Sequence, residues 1–188
     1  MTEVFFTKTD PLNDERLFSK VYRQLCEGRR QKVDRLISKE AKIQSLAAGF
    51  LLLKALERRG LSDGAVIYDG GKPCVARGNV YFNLSHSGQR AMCIISENAV
   101  ACDCQKIELY NKNLAQKYFF KNEIESIENA GNRDAEFCRI WTIKESLLKL
   151  EGAGISRLKC ANTTLDNGCF FKEYELFDGY KYAACSRV

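Results

Sequence analysis

The chain has 188 residues, 45% hydrophobic and 28% charged. That is enough chain and enough apolar side chain to bury a core, which excludes a disordered or fibrous protein. The net charge of +5 is spread along the sequence rather than packed into one tract. It suits an anionic ligand or an acidic protein partner, and gives no specific support for nucleic-acid binding.

The longest apolar run, LAAGFLLL at 46–53, is closed by Lys54 and is far shorter than the roughly 20 residues of a membrane helix. The start, MTEVFFTKTDPLNDE, lacks the basic end, apolar run and cleavage site of a secretion signal, so a cytoplasmic location is expected. Nine cysteines are an odd number with no CxxC pair. They are expected to be reduced and mostly buried, and the two in CDC (Cys102, Cys104) make poor zinc ligands without a second pair.

In chain order, a helix is expected from Asp10-Pro11, with Leu17, Phe18, Val21, Tyr22 and Leu25 at helical spacing and Gly28 as its stop. The basic stretch RRQKVDRLISKEAK leads into a second helix whose stripe is Ile43, Leu46, Ala47, Phe50, Leu53 and Leu56, ending near Gly60. The segment 62–88 is rich in turn residues. Two strands follow, at 90–95 and 99–104, joined by a turn at Glu97-Asn98. Helical patterns return in IELYNKNLAQKYFFKNEIESIENA and RDAEFCRIWTIKESLLKLEGAG. A hairpin closes the chain, FFKEYELF and YKYAACSRV around Asp178-Gly179. The order helices, strands, helices, strands reads as α+β in two similar halves, 1–97 and 98–188.

Three segments can carry chemistry. In VYFNLSHSG the strand-forming run stops at Asn83. Ser85, His86, Ser87 and Gly88 then form a loop that can donate hydrogen bonds to phosphate oxygens, or simply a polar turn with a satisfied histidine. A Ser-His nucleophile is excluded, because neighbours in extended chain point to opposite sides and there is no GxSxG elbow. In VACDCQKIE, alternation places Asp103 and Gln105 on one face. One charged and one neutral oxygen there suit magnesium, which takes one or two carboxylates with water and phosphate; a strand-end aspartate in a turn is the other reading. In FCRIWTIKESLLKLEGAG, Trp141, Glu145 and Lys149 share a helical stripe with Lys144 on its flank, open to a plain surface ion pair as well.

Taken together, FNLSHSG, Asp103 and WTIKESLLKLEGAGI resemble the 4′-phosphopantetheinyl transferase superfamily, specifically its larger, pseudodimeric Sfp-type class. The resemblance runs from the basic segment near Arg29 to GYKYAACSR. It implies two similar α+β subdomains in one chain, with the active site in the cleft between them. The implied reaction moves the 4′-phosphopantetheine arm of coenzyme A onto a serine of an acyl or peptidyl carrier protein, with magnesium, releasing 3′,5′-ADP. The setting would be fatty-acid, polyketide or nonribosomal-peptide synthesis, and the protein a monomer.

By the same resemblance, Ser85, His86 and Lys72 of GGKPC would contact the nucleotide end of coenzyme A. Asp103 and Glu145 would hold the metal, Glu145 would also help deprotonate the serine, and Lys144 and Lys149 would hold the pyrophosphate. Two departures stand out. ACDCQ puts Gln105 where the family usually has a second acidic ligand, and Gln44 falls where many relatives place a phosphate-binding arginine, for which Lys39, Lys42 or RRQK could compensate. The competing readings are a non-catalytic coenzyme A or nucleotide-binding relative with a decayed metal site and, less favoured, a basic nucleic-acid-binding domain.

Overall fold

The computed structural model describes residues 1–62, 66–69, 72–75, 80–163, 168–176 and 179–187. Helices and antiparallel sheets alternate, an α+β protein as expected. The chain divides into two compact units, Met1–Asn98 and Ala99–Val188.

The first unit opens with β1 (Glu3–Lys8), a strand that the sequence reading did not include. The single helix expected after Asp10 is instead a short 3-10 turn at Asp10–Asn13 followed by α1 (Glu15–Tyr22) and α2 (Glu27–Asp34). The Asp14 side chain accepts from Leu17 N at 2.8 Å and so starts a fresh helix. Gly28, read as a stop, lies in the first turn of α2, where its backbone freedom costs little.

Next, α3 (Lys39–Arg58) is capped by Ser38 and carries Leu46, Leu52 and Leu56, none more than 1% exposed. It packs on β4 (Tyr81–Ser87) and β5 (Arg90–Ser96), whose Ala91, Cys93 and Ile95 join the same core. Between helix and sheet come β2 (Val66–Asp69) and β3 (Lys72–Val75), paired with each other.

Strands at 90–96 and 100–106 exist, but they are not a hairpin. The first pairs with β1 and β4 in the order β1-β5-β4, whereas β6 (Val100–Lys106) belongs to a second sheet, ordered β6-β8-β7. Glu97-Asn98 is therefore a link between sheets rather than a turn within one. Adjacency of two strand patterns in sequence does not reveal which edges they hydrogen-bond.

The second unit continues with α4 (Lys112–Tyr118), α5 (Lys121–Asn129) and α6 (Arg133–Glu151). Asn132 caps α6 by accepting from Ala135 N at 2.9 Å. Gly152, at φ +72°, ends it in the left-handed conformation that glycine adopts without strain. The terminal strands β7 (Cys169–Tyr174) and β8 (Tyr180–Arg187) pair antiparallel as anticipated, although their register ends at Tyr174↔Tyr182. The connection is thus longer than two residues, and Asp178 lies outside the described residues. In each unit the first strand pairs with the last, the last with the one before it, and a helix of 20 or 19 residues packs on the sheet.

Gly49 on α3 is a notch. An ideal Cβ there would lie 3.0 Å from Leu25 Cδ1 and 3.1 Å from Nε of Arg29, a guanidinium only 2% exposed that donates through Nη2 to Ser45 O. Gly49→Leu should cost about 2 kcal/mol, the usual scale of overpacking, read as a lower urea midpoint. An unchanged midpoint would show that α2 and Arg29 are not held against α3 there.

Candidate functional site

In the first unit the SHS tripeptide lies within β4 rather than in a loop. Ser85 pairs with Met92, His86 with Ala91 and Ser87 with Arg90. Asn83 does not end the strand because its backbone pairing with Ile94 continues unbroken. The pleat buries Ser85, 5% exposed, and leaves the His86 side exposed, so serine and imidazole do point apart. The turn is Gly88-Gln89, with Gly88 at φ +49° and no positive φ at Gln89, the pattern of a type II′ hairpin.

Gln44, on α3, has a definite place in this hairpin. Its Nε2 donates to Gly88 O at 2.9 Å, and more weakly to Glu40 Oε1 at 3.4 Å. It braces the turn that follows His86, a role invisible in the sequence because the partner is a backbone carbonyl 44 residues away. Of the basic residues near it, Arg29 is buried in the core, and Arg30 is paired with Glu27 at 2.9 Å. Lys72 is in β3, its backbone registered with Asp69, and its side chain lies outside the described residues.

The second unit brings three expected residues together. Asp103 projects from β6, only 6% exposed, and accepts from Lys149 Nζ on α6 at 2.6 Å. Lys149 Nζ also donates to Cys102 O at 3.2 Å. Glu145 is one helical turn before Lys149. Burial first, then the nearby Asp103 charge, push its carboxyl above the ordinary glutamate range, and the Lys149 ammonium only partly opposes this. The Lys149 ammonium is desolvated, yet Asp103 and Glu145 hold its pKa above the ordinary lysine value. Gln105 shares the Asp103 face of β6, two residues on, half-buried and registered with Lys181.

A buried glutamate whose proton affinity is raised partly by the Asp103 charge, beside one lysine, forms a site that gains from added positive charge. The set fits magnesium, which needs few protein oxygens when substrate phosphates complete its shell. Among the described residues, no group of three or more His, Cys, Asp or Glu could hold a metal by protein ligands alone.

Lys144 is placed differently from an open phosphate ligand. Its side chain is fully buried, with Nζ 2.8 Å from Glu123 Oε2, itself fully buried, and a second hydrogen bond to Ala161 O. The Phe119 and Phe120 rings flank the ammonium, their centroids at 5.2 and 4.9 Å. Glu123 further accepts from Phe120 N, Thr163 N and Thr163 Oγ1. Sequence reasoning missed Glu123. The available signal was a glutamate three residues after Phe120 at a helix start, the spacing of a capping contact.

Trp141 is not part of this polar group. It packs with Phe119 and Phe137, at centroid separations of 6.2 and 6.1 Å. None of the nine cysteines is in a disulfide, five of them are buried, and no helix among the described residues is long and apolar enough to cross a membrane.

The sequence model of the 4′-phosphopantetheinyl transferase superfamily matches residues 99–186, the whole of the strand and helix that carry Asp103, Glu145 and Lys149. Among curated proteins, the 4′-phosphopantetheinyl transferase ffp of Bacillus subtilis is 28% identical over 179 residues, covering 84% of this chain and 80% of that protein. The transferase Sfp of Bacillus subtilis strain 168 is 27% identical over 180 residues, with the same two coverages. The transferase AcpT of Salmonella typhi is 31% identical over 147 residues, covering 74% of this chain and 76% of that protein. With matches of this extent across both units, the chain belongs to the 4′-phosphopantetheinyl transferase superfamily, in its Sfp-type class.

Proposed function

We propose that this protein transfers the 4′-phosphopantetheine group of coenzyme A to a serine of an acyl or peptidyl carrier protein, releasing 3′,5′-ADP. The observation that carries the reading is the meeting of Asp103, Glu145 and Lys149 on β6 and α6. Attack of a serine hydroxyl on a phosphate needs a proton removed, phosphate charge balanced and a leaving group held. Glu145, with its raised pKa, is suited to take the proton. Lys149, kept charged by two carboxylates, would balance the phosphate charge.

Asp103 and Glu145 would hold a magnesium ion, with Gln105 an additional neutral oxygen donor; when bound, the ion supplies charge neutralisation for the pyrophosphate. His86, Ser85 and Lys72 are assigned to the nucleotide end of coenzyme A. His86 is supported by its exposure on a braced hairpin. The shared strand order of the two units supports descent from a doubled unit, a pseudodimer in one chain, and the protein is read as acting as a monomer. Nine cysteines outside any disulfide favour a cytoplasmic setting.

The direct test is incubation with coenzyme A, magnesium and a panel of apo carrier proteins, followed by intact mass measurement. One phosphopantetheine added per carrier is expected; a folded protein that modifies none of them would refute the assignment. Glu145→Gln and Lys149→Ala should each lower kcat by about 100-fold or more, the scale of losing one group that acts in the transition state. His86→Ala should weaken coenzyme A binding more than it lowers the saturated rate. Gln105→Glu should lower the magnesium concentration needed for half-maximal rate, and an unchanged requirement would remove Gln105 from the metal shell.

Glu145 also makes a prediction about stability. A carboxyl whose native pKa is raised costs stability when ionised, so the penalty is present at pH 7 and disappears as pH falls through the raised native value toward the unfolded value of about 4.3. Glu145→Gln should therefore melt higher than the parent at pH 7, and the gap should close below about pH 4. A lower melting temperature at pH 7 would mean that Lys149 outweighs Asp103 and burial.

A further inference from the structure

We infer that Lys144 serves the transferase reaction as a positioning residue, clasping α6 to the α4–α5 corner and to residues 161–163 through Glu123, rather than as a phosphate ligand. This inference rests on the reading of function above and reassigns Lys144, which the family resemblance gives to the pyrophosphate.

The ammonium has three N–H donors. Glu123 Oε2 and Ala161 O take two, and the remaining face lies between the Phe119 and Phe120 rings, which attract a cation without offering it water. A phosphate would have to displace a fully buried carboxylate to reach it. Glu123 is committed in turn: one oxygen takes Phe120 N together with Lys144, the other takes both Thr163 donors.

Four segments therefore meet at one ion pair: the α4–α5 corner, α5, α6 and residues 161–163. The next residue on α6 is Glu145, and Lys149 is five residues on. Fixing α6 at Lys144 sets the rotation and height at which both face Asp103. The large aromatic group Phe119, Phe137 and Trp141 packs beside it and fills volume, but rings slide where a bidentate-sharing carboxylate does not.

The physics of buried pairs supplies a discriminating test, because removing one partner leaves an uncompensated charge whereas replacing both is often neutral. Lys144→Met alone should lower kcat at least about tenfold, assayed well below its melting temperature, while its coenzyme A Kd by calorimetry stays within about threefold. Combining it with Glu123→Gln, which removes the unpaired charge and keeps one acceptor oxygen for the Thr163 donors, should return kcat to within about threefold of the parent. If Lys144 binds phosphate, the double variant stays as slow as the single one and coenzyme A binding weakens in both.

A measurement on the unaltered protein covers the case in which the single variant does not fold. Reductive methylation of the native chain, mapped by mass spectrometry, should leave Lys144 unmodified with or without coenzyme A while exposed Lys121 reacts. Labelling of Lys144 in the free protein, with protection by coenzyme A, would overturn the inference. Should the parent transfer nothing to any carrier, the functional reading fails, and the labelling result still decides where Lys144 is engaged.

Discussion

The contact between Lys149 and Asp103 joins a helix to a strand by a charge pair where neither side chain is freely hydrated. Desolvating an ammonium and a carboxylate is costly, and mutual attraction repays it only with good geometry and further hydrogen bonds. Here the 2.6 Å approach and the second bond to Cys102 O supply both. Glu145 then adds a second negative charge that the single lysine does not balance. The second unit thus keeps an electrostatic deficit at one point on its sheet, and its folded framework holds that deficit in place.

That framework is made of ordinary parts. A capped helix of 19 residues, stopped by a left-handed glycine, lays Ile143, Leu147 and Leu148 into the interior, all at most 5% exposed. The sheet beneath contributes Ala101, Ala183 and Cys185, small side chains that let helix and strand approach closely. Apolar burial of this kind offsets the polar cost at the site, and it explains why charged groups survive on an otherwise buried face.

Much of this was legible from residues alone. Periodicity located α3 and α6, period-two alternation put Asp103 and Gln105 on one face, and the combined motifs pointed to the superfamily. Three kinds of feature were not legible. Strand partnership was one: β5 and β6 follow each other yet serve different sheets, since hydrogen-bonding edges leave no local pattern. The run through SHS was another, because Ser and His are weak strand formers held in β4 by their register with β5. The third was the engagement of Lys144 and Gln44, both charged or polar residues whose partners lie far along the chain.

The strand order of the second unit carries a consequence for how the protein is made. β8 is the middle strand, so β6, which bears Asp103, has no sheet partner until residues 180–187 arrive. A chain growing from its amino end would complete the first sheet about 90 residues before the second could close. During that interval the acidic strand and its helix exist without their organising neighbour, and pairing across such a separation is intrinsically slow. Capacity for chemistry is thereby deferred until β8 is made, so a chain grown only as far as the first sheet possesses none of the ordered carboxylate and lysine geometry.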